Sequence, residues 1–156
     1  MVTDLAAALG RIPSGIFVVT CCKDGNETAF LASWVQQCSF DPPMLSLAVR
    51  QGRTIGEWLQ DGSRFALHIL AEGQKDLLSH FGKGLPLAQL PGQEQRIRRC
   101  PGQPPILVDV LAVLHCTPTQ TCVSGDHRLI LARVDDGWLL RDERPLIHIR
   151  KNGLNY

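Results

Sequence analysis

The sequence predicts a mainly β fold, a closed antiparallel barrel with a few short helices, formed by a single domain over residues 1–156. Three observations support this prediction. Short apolar segments of strand length recur along the chain, separated by glycine, proline and aspartate. Asp-Gly pairs stand between consecutive segments, where tight hairpins need positive φ angles. Strands and helices do not alternate regularly, which argues against a doubly wound sheet.

The first elements are a helix and a β-hairpin. A short helix is predicted over residues 6–9, with Thr3 as its N-cap. The apolar residues 16–22 then predict a strand, and the Asp-Gly sequence within residues 23–26 predicts a hairpin turn. The return strand is expected to begin near Thr28.

A buried strand and a capped helix follow. Residues 44–49 are apolar except for Ser46, which predicts a strand buried on both faces. The four residues from Thr54 to Glu57 match a capping box, with Thr54 at the N-cap. A short helix is therefore predicted from Thr54 to residue 60.

The middle of the chain predicts one strand, one helix and a long loop. Residues 64–70 alternate as a strand does, and residues 74–81 have helical spacing. Residues 85–105 are rich in proline and glycine, which predicts a long surface loop of a kind that is often functional. Its three arginines, Arg96, Arg98 and Arg99, are interpreted first as a solvated surface.

Four strands are predicted in the C-terminal third: residues 106–116, 127–134, 138–140 and 146–149. Residues 135–137 read Asp-Asp-Gly and predict a turn between the second and third of these strands.

Composition and charge exclude several classes of function. Sixteen basic and fifteen acidic residues give a formal net charge of +1, so neither nucleic acid nor a membrane is an expected partner. The N-terminus lacks the pattern of a signal peptide, and a cytoplasmic protein is expected. The six cysteines are irregularly spaced and predict reduced thiols. Histidines and cysteines show no metal-ligand spacing, so no metal is expected.

A phosphate site is suggested just before the predicted capped helix. Arg50 and Arg53 flank a glycine and precede Thr54, so two guanidinium groups and a hydroxyl meet near free backbone N–H groups. Such a site fits a phosphomonoester. The alternative is an ordinary capped helix beside two solvated arginines.

The segment over residues 32–43 has the chemistry of a ligand cradle. It offers the hydroxyl groups of Ser33 and Ser39 and the Trp34 ring, and the pair Pro42-Pro43 stiffens its end. The alternative is a strand that ends in a Pro-Pro turn.

Four segments together resemble the flavin reductase-like family, and the resemblance runs nearly end to end. It is similar in particular to the flavin reductase module that ends cyanobacterial diflavin flavoproteins, which has Ala-Ser-Trp-Val, Phe-Asp/Glu-Pro-Pro and Gly-Asp-His in this order. The segments carrying the resemblance are residues 9–20, residues 32–54, Ser124-Gly125-Asp126-His127 and residues 148–156.

The resemblance implies an FMN-binding split barrel that forms a homodimer, with the flavin near the subunit interface. It implies that the phosphate lies at residues 50–54, where Gly52 replaces the serine common in the family, so that Arg50 or Arg53 must compensate. The positions expected to line the flavin are Ser33, Trp34, Cys38, Ser39 and Phe40.

The resemblance also implies that His127 lies beside the flavin and the nicotinamide site. Asp126 is then expected to fix the tautomer of His127 through a hydrogen bond. For the arginines of the 85–105 loop it adds an alternative, a contact with the phosphate of a nicotinamide dinucleotide.

The function expected is an NAD(P)H-dependent flavin reductase that carries FMN and transfers hydride from NADH or NADPH to the flavin. One alternative is an FMN-binding electron-transfer or redox-sensing module that takes electrons from a partner protein. Another is a split-barrel interaction domain without a cofactor. The 85–105 loop separates the first two, because an ordered loop closing over the flavin leaves little room for a dinucleotide.

Overall fold

The structure, a computed structural model, describes residues 4–155, and within them the fold is mainly antiparallel β, as predicted. The helices are α1 (Leu5–Gly10), α2 (Thr54–Gln60), α3 (Lys75–Gly82) and α4 (Gln93–Arg96). The strands are β1 (Ser14–Gly15), β2 (Phe17–Lys23), β3 (Asn26–Ala32), β4 (Val35–Phe40), β5 (Pro43–Arg50), β6 (Phe65–Ile69), β7 (Ile97–Arg98), β8 (Ile106–Leu107), β9 (Ala112–Ser124), β10 (His127–Leu139) and β11 (Ile147–His148).

Seven of these strands form one antiparallel sheet in the order β3-β2-β6-β9-β10-β5-β4. Strands β1 and β11 pair with each other, as do β7 and β8. The predicted hairpin between β2 and β3 is confirmed: Lys23 pairs with Asn26, and Asp24 and Gly25 have φ angles of 51° and 77°. The two positive φ angles match the right-handed twist of the flanking strands.

Successive side chains of the central strands point alternately into two apolar cores, one on each face of the sheet. Val19 and Leu67 point into the core that also holds Leu47 and Ile130. Their neighbours Val18 and Ala66 point into the second core, under α3 and the 85–105 segment. Because successive side chains of a strand point to opposite faces, β2 and β6 are buried on both sides.

Strand β5 is buried on one face only, so the prediction for residues 44–49 is wrong in this respect. Leu45, Leu47 and Val49 are at most 3% exposed, whereas Met44, Ser46 and Ala48 are only partly buried. Ser46 and Ala48 are small and line a cavity on the outer face. The apolar run therefore combines a core face with the floor of a cavity.

Two predicted helix caps differ from the structure. Thr3 lies outside the described residues, and the N-cap of α1 is Asp4, whose carboxylate accepts a hydrogen bond of 2.9 Å from the N–H of Ala7. At α2 the N-cap is Arg53, in extended conformation, so Thr54 is the first helical residue and the capping box does not form. The hydroxyl of Thr54 therefore makes no N-capping hydrogen bond in α2.

The 85–105 segment is an ordered, packed part of the fold. It contains a 3₁₀ turn at Leu87–Gln89, then α4 and β7, and Leu87, Leu90 and Ile97 are at most 6% exposed. The segment lies mostly on the surface, as predicted, but it is not a loop without regular structure. The proline and glycine content of the segment predicts a loop, but three apolar residues within it, Leu87, Leu90 and Ile97, pack into the second core.

Two of the three arginines in this segment are held by carboxylates within the chain. Arg96 contacts Asp76 at 2.8 Å and Asp109 at 2.7 Å, and Arg99 forms a two-point contact with Glu27. The interpretation as a solvated arginine is therefore corrected for Arg96, whose side chain is 20% exposed, whereas Arg99 is 40% exposed and forms a surface ion pair.

Strand β10 continues to Leu139 without the turn predicted at residues 135–137. Residues 134–136 form a bulge opposite β9, and the carboxylate of Asp135 accepts hydrogen bonds from Thr117 and Arg133 at 2.5 and 2.8 Å. Gly137 pairs with Leu114, and a Cβ there would meet the Leu114 side chain. The glycine thus permits a close approach of two strands in place of a turn.

The remaining strand boundaries also differ. The predicted strand over 106–116 is divided into β8 and β9, and β9 extends to Ser124. The last strand is shorter than predicted, since only Ile147–His148 pairs with β1.

Candidate functional site

The pairing register of β5 and β10 places the predicted phosphate segment, residues 50–54, next to the Gly-Asp-His segment, residues 125–127. Arg50 pairs directly with His127. The backbone N–H of Gln51 donates to the carbonyl of Asp126 at 3.0 Å, and its side chain donates to the carbonyl of Gly125 at 2.7 Å. These bonds join the loop before α2 to the β9–β10 turn, so Arg50, Asp126 and His127 lie in one place.

Asp126 and His127 form the hydrogen-bonded pair that the sequence predicted. His127 Nδ1 lies 2.7 Å from Asp126 Oδ1, and the histidine side chain is 7% exposed. This hydrogen bond lowers the pKa of Asp126, and the charge of Arg50 acts in the same direction. An ionised Asp126 accepts a hydrogen bond from the N–H at Nδ1 and so keeps the proton of the buried imidazole on Nδ1.

Trp34 connects this pair to the C-terminal segment. Its carbonyl accepts a hydrogen bond of 3.0 Å from Ala48, which ties the β3–β4 connection to β5. The indole lies 4.8 Å from the imidazole of His127, and the guanidinium of Arg150 lies over the indole at 4.9 Å. Such an arrangement is a cation–π contact and orders both side chains.

Arg150 was not predicted as a site residue. It belongs to the 148–156 segment that resembles the flavin reductase-like family, but nothing local marks it among the sixteen basic residues. Its position depends on α1, because the N–H of Arg150 donates to the carbonyl of Gly10 at 3.1 Å and that of Gly153 donates to Ala6 at 2.7 Å.

Two glycines make this docking possible. A Cβ on Gly10 would lie 2.5 Å from the carbonyl oxygen of Arg150, and one on Gly153 would lie 2.7 Å from the nitrogen of Gly10. Neither position has space for a larger residue, so the segment lies directly against α1.

Arg53 and Thr54 lie at the start of α2, near Phe30. The guanidinium of Arg53 stands 5.4 Å from the centre of the Phe30 ring. Gly52 has a φ of 82°, which the tight turn between β5 and α2 requires. Both Arg53 and Thr54 are exposed, so their polar groups face solvent and not the core.

Three adjoining cavities surround Trp34. The first, of about 410 Å³, includes Ser33, Ser46 and Ala48. The second, of about 330 Å³, includes Ser33, Arg50 and Arg53. The third, of about 320 Å³, includes Arg50, His127 and Arg150. Together they reach the size of small-molecule and cofactor sites.

The second and third cavities are lined by arginines in a nearly neutral chain. Within residues 4–155, no carboxylate forms an ion pair with Arg50, Arg53 or Arg150. Unpaired guanidinium groups beside an aromatic ring suit a ligand with a planar ring and phosphate groups.

Three predicted site residues lie elsewhere. Cys38, Ser39 and Phe40 are at the far end of the β4–β5 hairpin, where Phe40 pairs with Pro43 and is 91% exposed. Five residues of extended chain separate Phe40 from Trp34, a distance of about 20 Å. The structure therefore brings together Ser33, Trp34, Arg50, Arg53, Thr54, Asp126 and His127, but not these three.

Outside the site, two cysteines and two histidines are buried in the fold, namely Cys21, Cys116, His68 and His80. All six cysteines are free, and burial raises the pKa of both Cys21 and Cys116 to about 12. Among residues 4–155, no group of three or more His, Cys, Asp or Glu side chains is placed to hold a metal ion. In the same range, no helix has the length and apolar character needed to span a membrane.

Comparison with known proteins decides the family. The model of the flavin reductase like domain matches residues 9–153, nearly the whole chain. This chain belongs to the flavin reductase-like family. The family resemblance described from the sequence is thereby confirmed.

Among curated relatives, Diflavin flavoprotein A 1 of Synechocystis sp. is 36% identical over 160 aligned residues. The alignment covers 99% of this chain but 27% of that protein, so the chain spans about a quarter of the length of the relatives it matches.

Solved structures confirm the split-barrel fold of this flavin reductase-like chain. The NADH:FAD oxidoreductase of Streptomyces globisporus superposes with a TM-score of 0.76 at 20% identity, covering 92% of this chain and 80% of that one. The styrene monooxygenase flavin reductase of Pseudomonas putida has a TM-score of 0.75 at 24% identity, covering 94% of this chain and 93% of that one.

Proposed function

We propose that this chain is an NAD(P)H-dependent flavin reductase that binds FMN in the cavities around Trp34. The observation that carries the proposal is the set of unpaired arginines beside Trp34 and the Asp126–His127 pair. Family membership supports flavin chemistry. The adjoining apolar and cationic cavities fit a ligand with a flat ring at one end and a phosphate at the other.

Each part of the site has a separate task. Arg53, Arg50 and the hydroxyl of Thr54 bind the phosphate through charge-assisted hydrogen bonds. Ser33 and Trp34, above the small side chains of Ser46 and Ala48, hold the ring system. When bound, the flavin supplies a ring that accepts hydride from a reduced nicotinamide.

Asp126 and His127 complete the site on the nicotinamide side. The carboxylate keeps the proton of His127 on Nδ1, so the imidazole has one orientation and one tautomer. A rigid imidazole beside Trp34 positions the nicotinamide and limits access of water to the reacting rings.

Placement of the 85–105 segment favours a nicotinamide-using enzyme over a module that only receives electrons from a protein. The segment is ordered, yet it packs on α3 and the second core. None of its residues lines the three cavities around Trp34. The site therefore has room for a dinucleotide next to the flavin. Arg96 and Arg99 are engaged elsewhere and do not take part.

The test is anaerobic mixing of the purified protein with FMN and either NADH or NADPH. We expect the flavin absorbance band near 450 nm, a property of the cofactor, to bleach with at least one nucleotide. A protein that turns yellow with FMN but bleaches with neither nucleotide contradicts the enzyme proposal and supports the electron-transfer module.

We further propose a homodimer that covers the first cavity. Ile12 and Ile147 are 62% and 64% exposed and line the same cavity as Ser33 and Trp34. An apolar rim on a ligand cavity is a typical protein contact surface. A partner chain over this rim would close the flavin cavity.

Light scattering should therefore give a mass near twice the 17.2 kDa of one chain. Ile147→Asp should shift the protein toward the monomer, because a buried carboxylate at the interface is costly. A wild-type monomer at micromolar concentration contradicts this proposal.

A further inference from the structure

One of the three cavities is not explained by flavin binding. It holds about 320 Å³ and is lined by Arg50 and Arg150, by Trp34, by Asp126 and His127, and by the segment over residues 153–155. Arg53 does not line it. This cavity and the one beside Arg53 have Trp34 and Arg50 in common, so they adjoin each other.

Arg150 is held rigidly at this cavity. Its backbone N–H donates a hydrogen bond to the carbonyl of Gly10, and its carbonyl oxygen lies 2.5 Å from the position that a Cβ of Gly10 would take. The main chain is therefore packed closely against α1. Its guanidinium is stacked on the Trp34 ring at 4.9 Å. A guanidinium ordered in this way loses less conformational entropy when a ligand binds.

The charge balance of the cavity favours an anion. Asp126 is the one carboxylate among the lining residues that the structure describes, and it is engaged by His127 at 2.7 Å. Arg50 and Arg150 form no ion pair within residues 4–155. The charge of Arg50 already acts on Asp126, so Arg150 is the guanidinium most available to phosphate oxygens.

From this we infer that Arg150 binds a phosphate of the nicotinamide dinucleotide. The inference rests on the proposed function. FMN has one phosphate, for which the cavity lined by Arg50 and Arg53 is available. The dinucleotide brings its own pyrophosphate, and the cavity of Arg150 lies directly beside His127, where the nicotinamide is expected. Arg150 is thus a binding residue for the electron donor.

The test is calorimetric titration of the FMN-loaded protein with NAD⁺, which measures binding without turnover. Arg150→Ala should raise the dissociation constant of NAD⁺ about tenfold, since one charge-assisted contact with phosphate is lost. Arg150→Gln, which keeps a long polar side chain, should weaken NAD⁺ binding in the same direction. The FMN dissociation constant, measured by flavin fluorescence, should stay within twofold of the wild type.

Lys151→Ala is the matched control, because it removes one positive charge at the next residue, which is exposed and does not line the cavity. It should leave NAD⁺ binding unchanged. Unaltered NAD⁺ binding in both Arg150 variants overturns the inference, and so does a wild type that binds no NAD⁺. Loss of FMN affinity with intact NAD⁺ binding also overturns it, since the anion is then the flavin phosphate.

These outcomes are separate from failure of the proposed function. If the wild type bleaches FMN with NADH or NADPH while Arg150→Ala binds NAD⁺ normally, only the role of Arg150 is wrong. If the wild type bleaches with neither nucleotide, the reductase proposal itself is wrong.

Discussion

Replacing Arg53 with alanine should weaken FMN binding ten- to a hundredfold and leave riboflavin binding almost unchanged. The guanidinium stands 5.4 Å from the Phe30 ring and lines the cavity that continues from Trp34. A hydrogen bond between a guanidinium and a phosphate contributes roughly 1.5–3 kcal/mol, and each 1.4 kcal/mol is about a tenfold change in affinity. Riboflavin lacks the phosphate and so lacks this contact. Quenching of flavin fluorescence measures both constants.

Arg98→Ala is the matched control for this experiment, since it removes an exposed arginine from a different part of the surface. It should leave both dissociation constants unchanged. Equal losses of FMN and riboflavin in Arg53→Ala would show that the phosphate lies elsewhere. Gly52→Ser, which restores the family's hydroxyl, is less informative because the φ of 82° at this position strains any other residue.

Acid should destabilise the fold through one buried histidine. His68 is fully buried, its Nδ1 donates to the carbonyl of Val18 at 2.9 Å, and its Nε2 accepts from the N–H of Leu107 at 3.0 Å. Burial lowers the pKa of His68 from 6.5 to about 4. Protonation would place an N–H on Nε2, which faces the backbone N–H of Leu107. The charged imidazole would therefore have neither a hydrogen-bond acceptor for this N–H nor solvent around it.

The sign follows from the two pKa values. Between pH 6.5 and about 4 the unfolded chain binds a proton on His68 and the folded chain does not. The free energy of unfolding therefore falls as the pH falls through this window, and it loses about 3 kcal/mol from this group. Above pH 6.5 the contribution is constant. Urea titrations at half-unit steps of pH measure it.

His68→Gln provides the reference, because glutamine keeps a donor and an acceptor but does not titrate. The variant should be less stable than the wild type at pH 7, and the difference between the two proteins should shrink by about 3 kcal/mol on going to pH 4. A difference that is constant across this range would show that His68 does not carry the acid sensitivity.

Local sequence predicted the parts of the fold that depend on neighbouring residues. The Asp24-Gly25 turn needs two positive φ angles and nothing else, and the structure has both. The Asp-Asp-Gly sequence at residues 135–137 has the same residue types, but it lies in a bulged strand. There Asp135 is bonded to Thr117, a partner 18 residues away, so the outcome depends on β9 and not on the turn residues.

The site was predictable to the extent that its residues are consecutive. Arg50, Arg53, Thr54, Asp126 and His127 stand out as short motifs, and β-sheet register then joins them. Arg150 depends instead on a contact between α1 and a segment about 140 residues away. The predicted positions Cys38 to Phe40 follow the family motif, but six residues of extended strand carry them away from Trp34.

The contact between α1 and residues 150–155 affects the order in which the core sheet and the wall of the site form during folding. Because strands β1 and β11 already pair Ser14 with His148, this contact closes only a short additional loop, at a small entropic cost. The core sheet can form without it, whereas the wall that holds Arg150 cannot. Local detachment of α1 would then release the wall that holds Arg150 while the sheet stays folded.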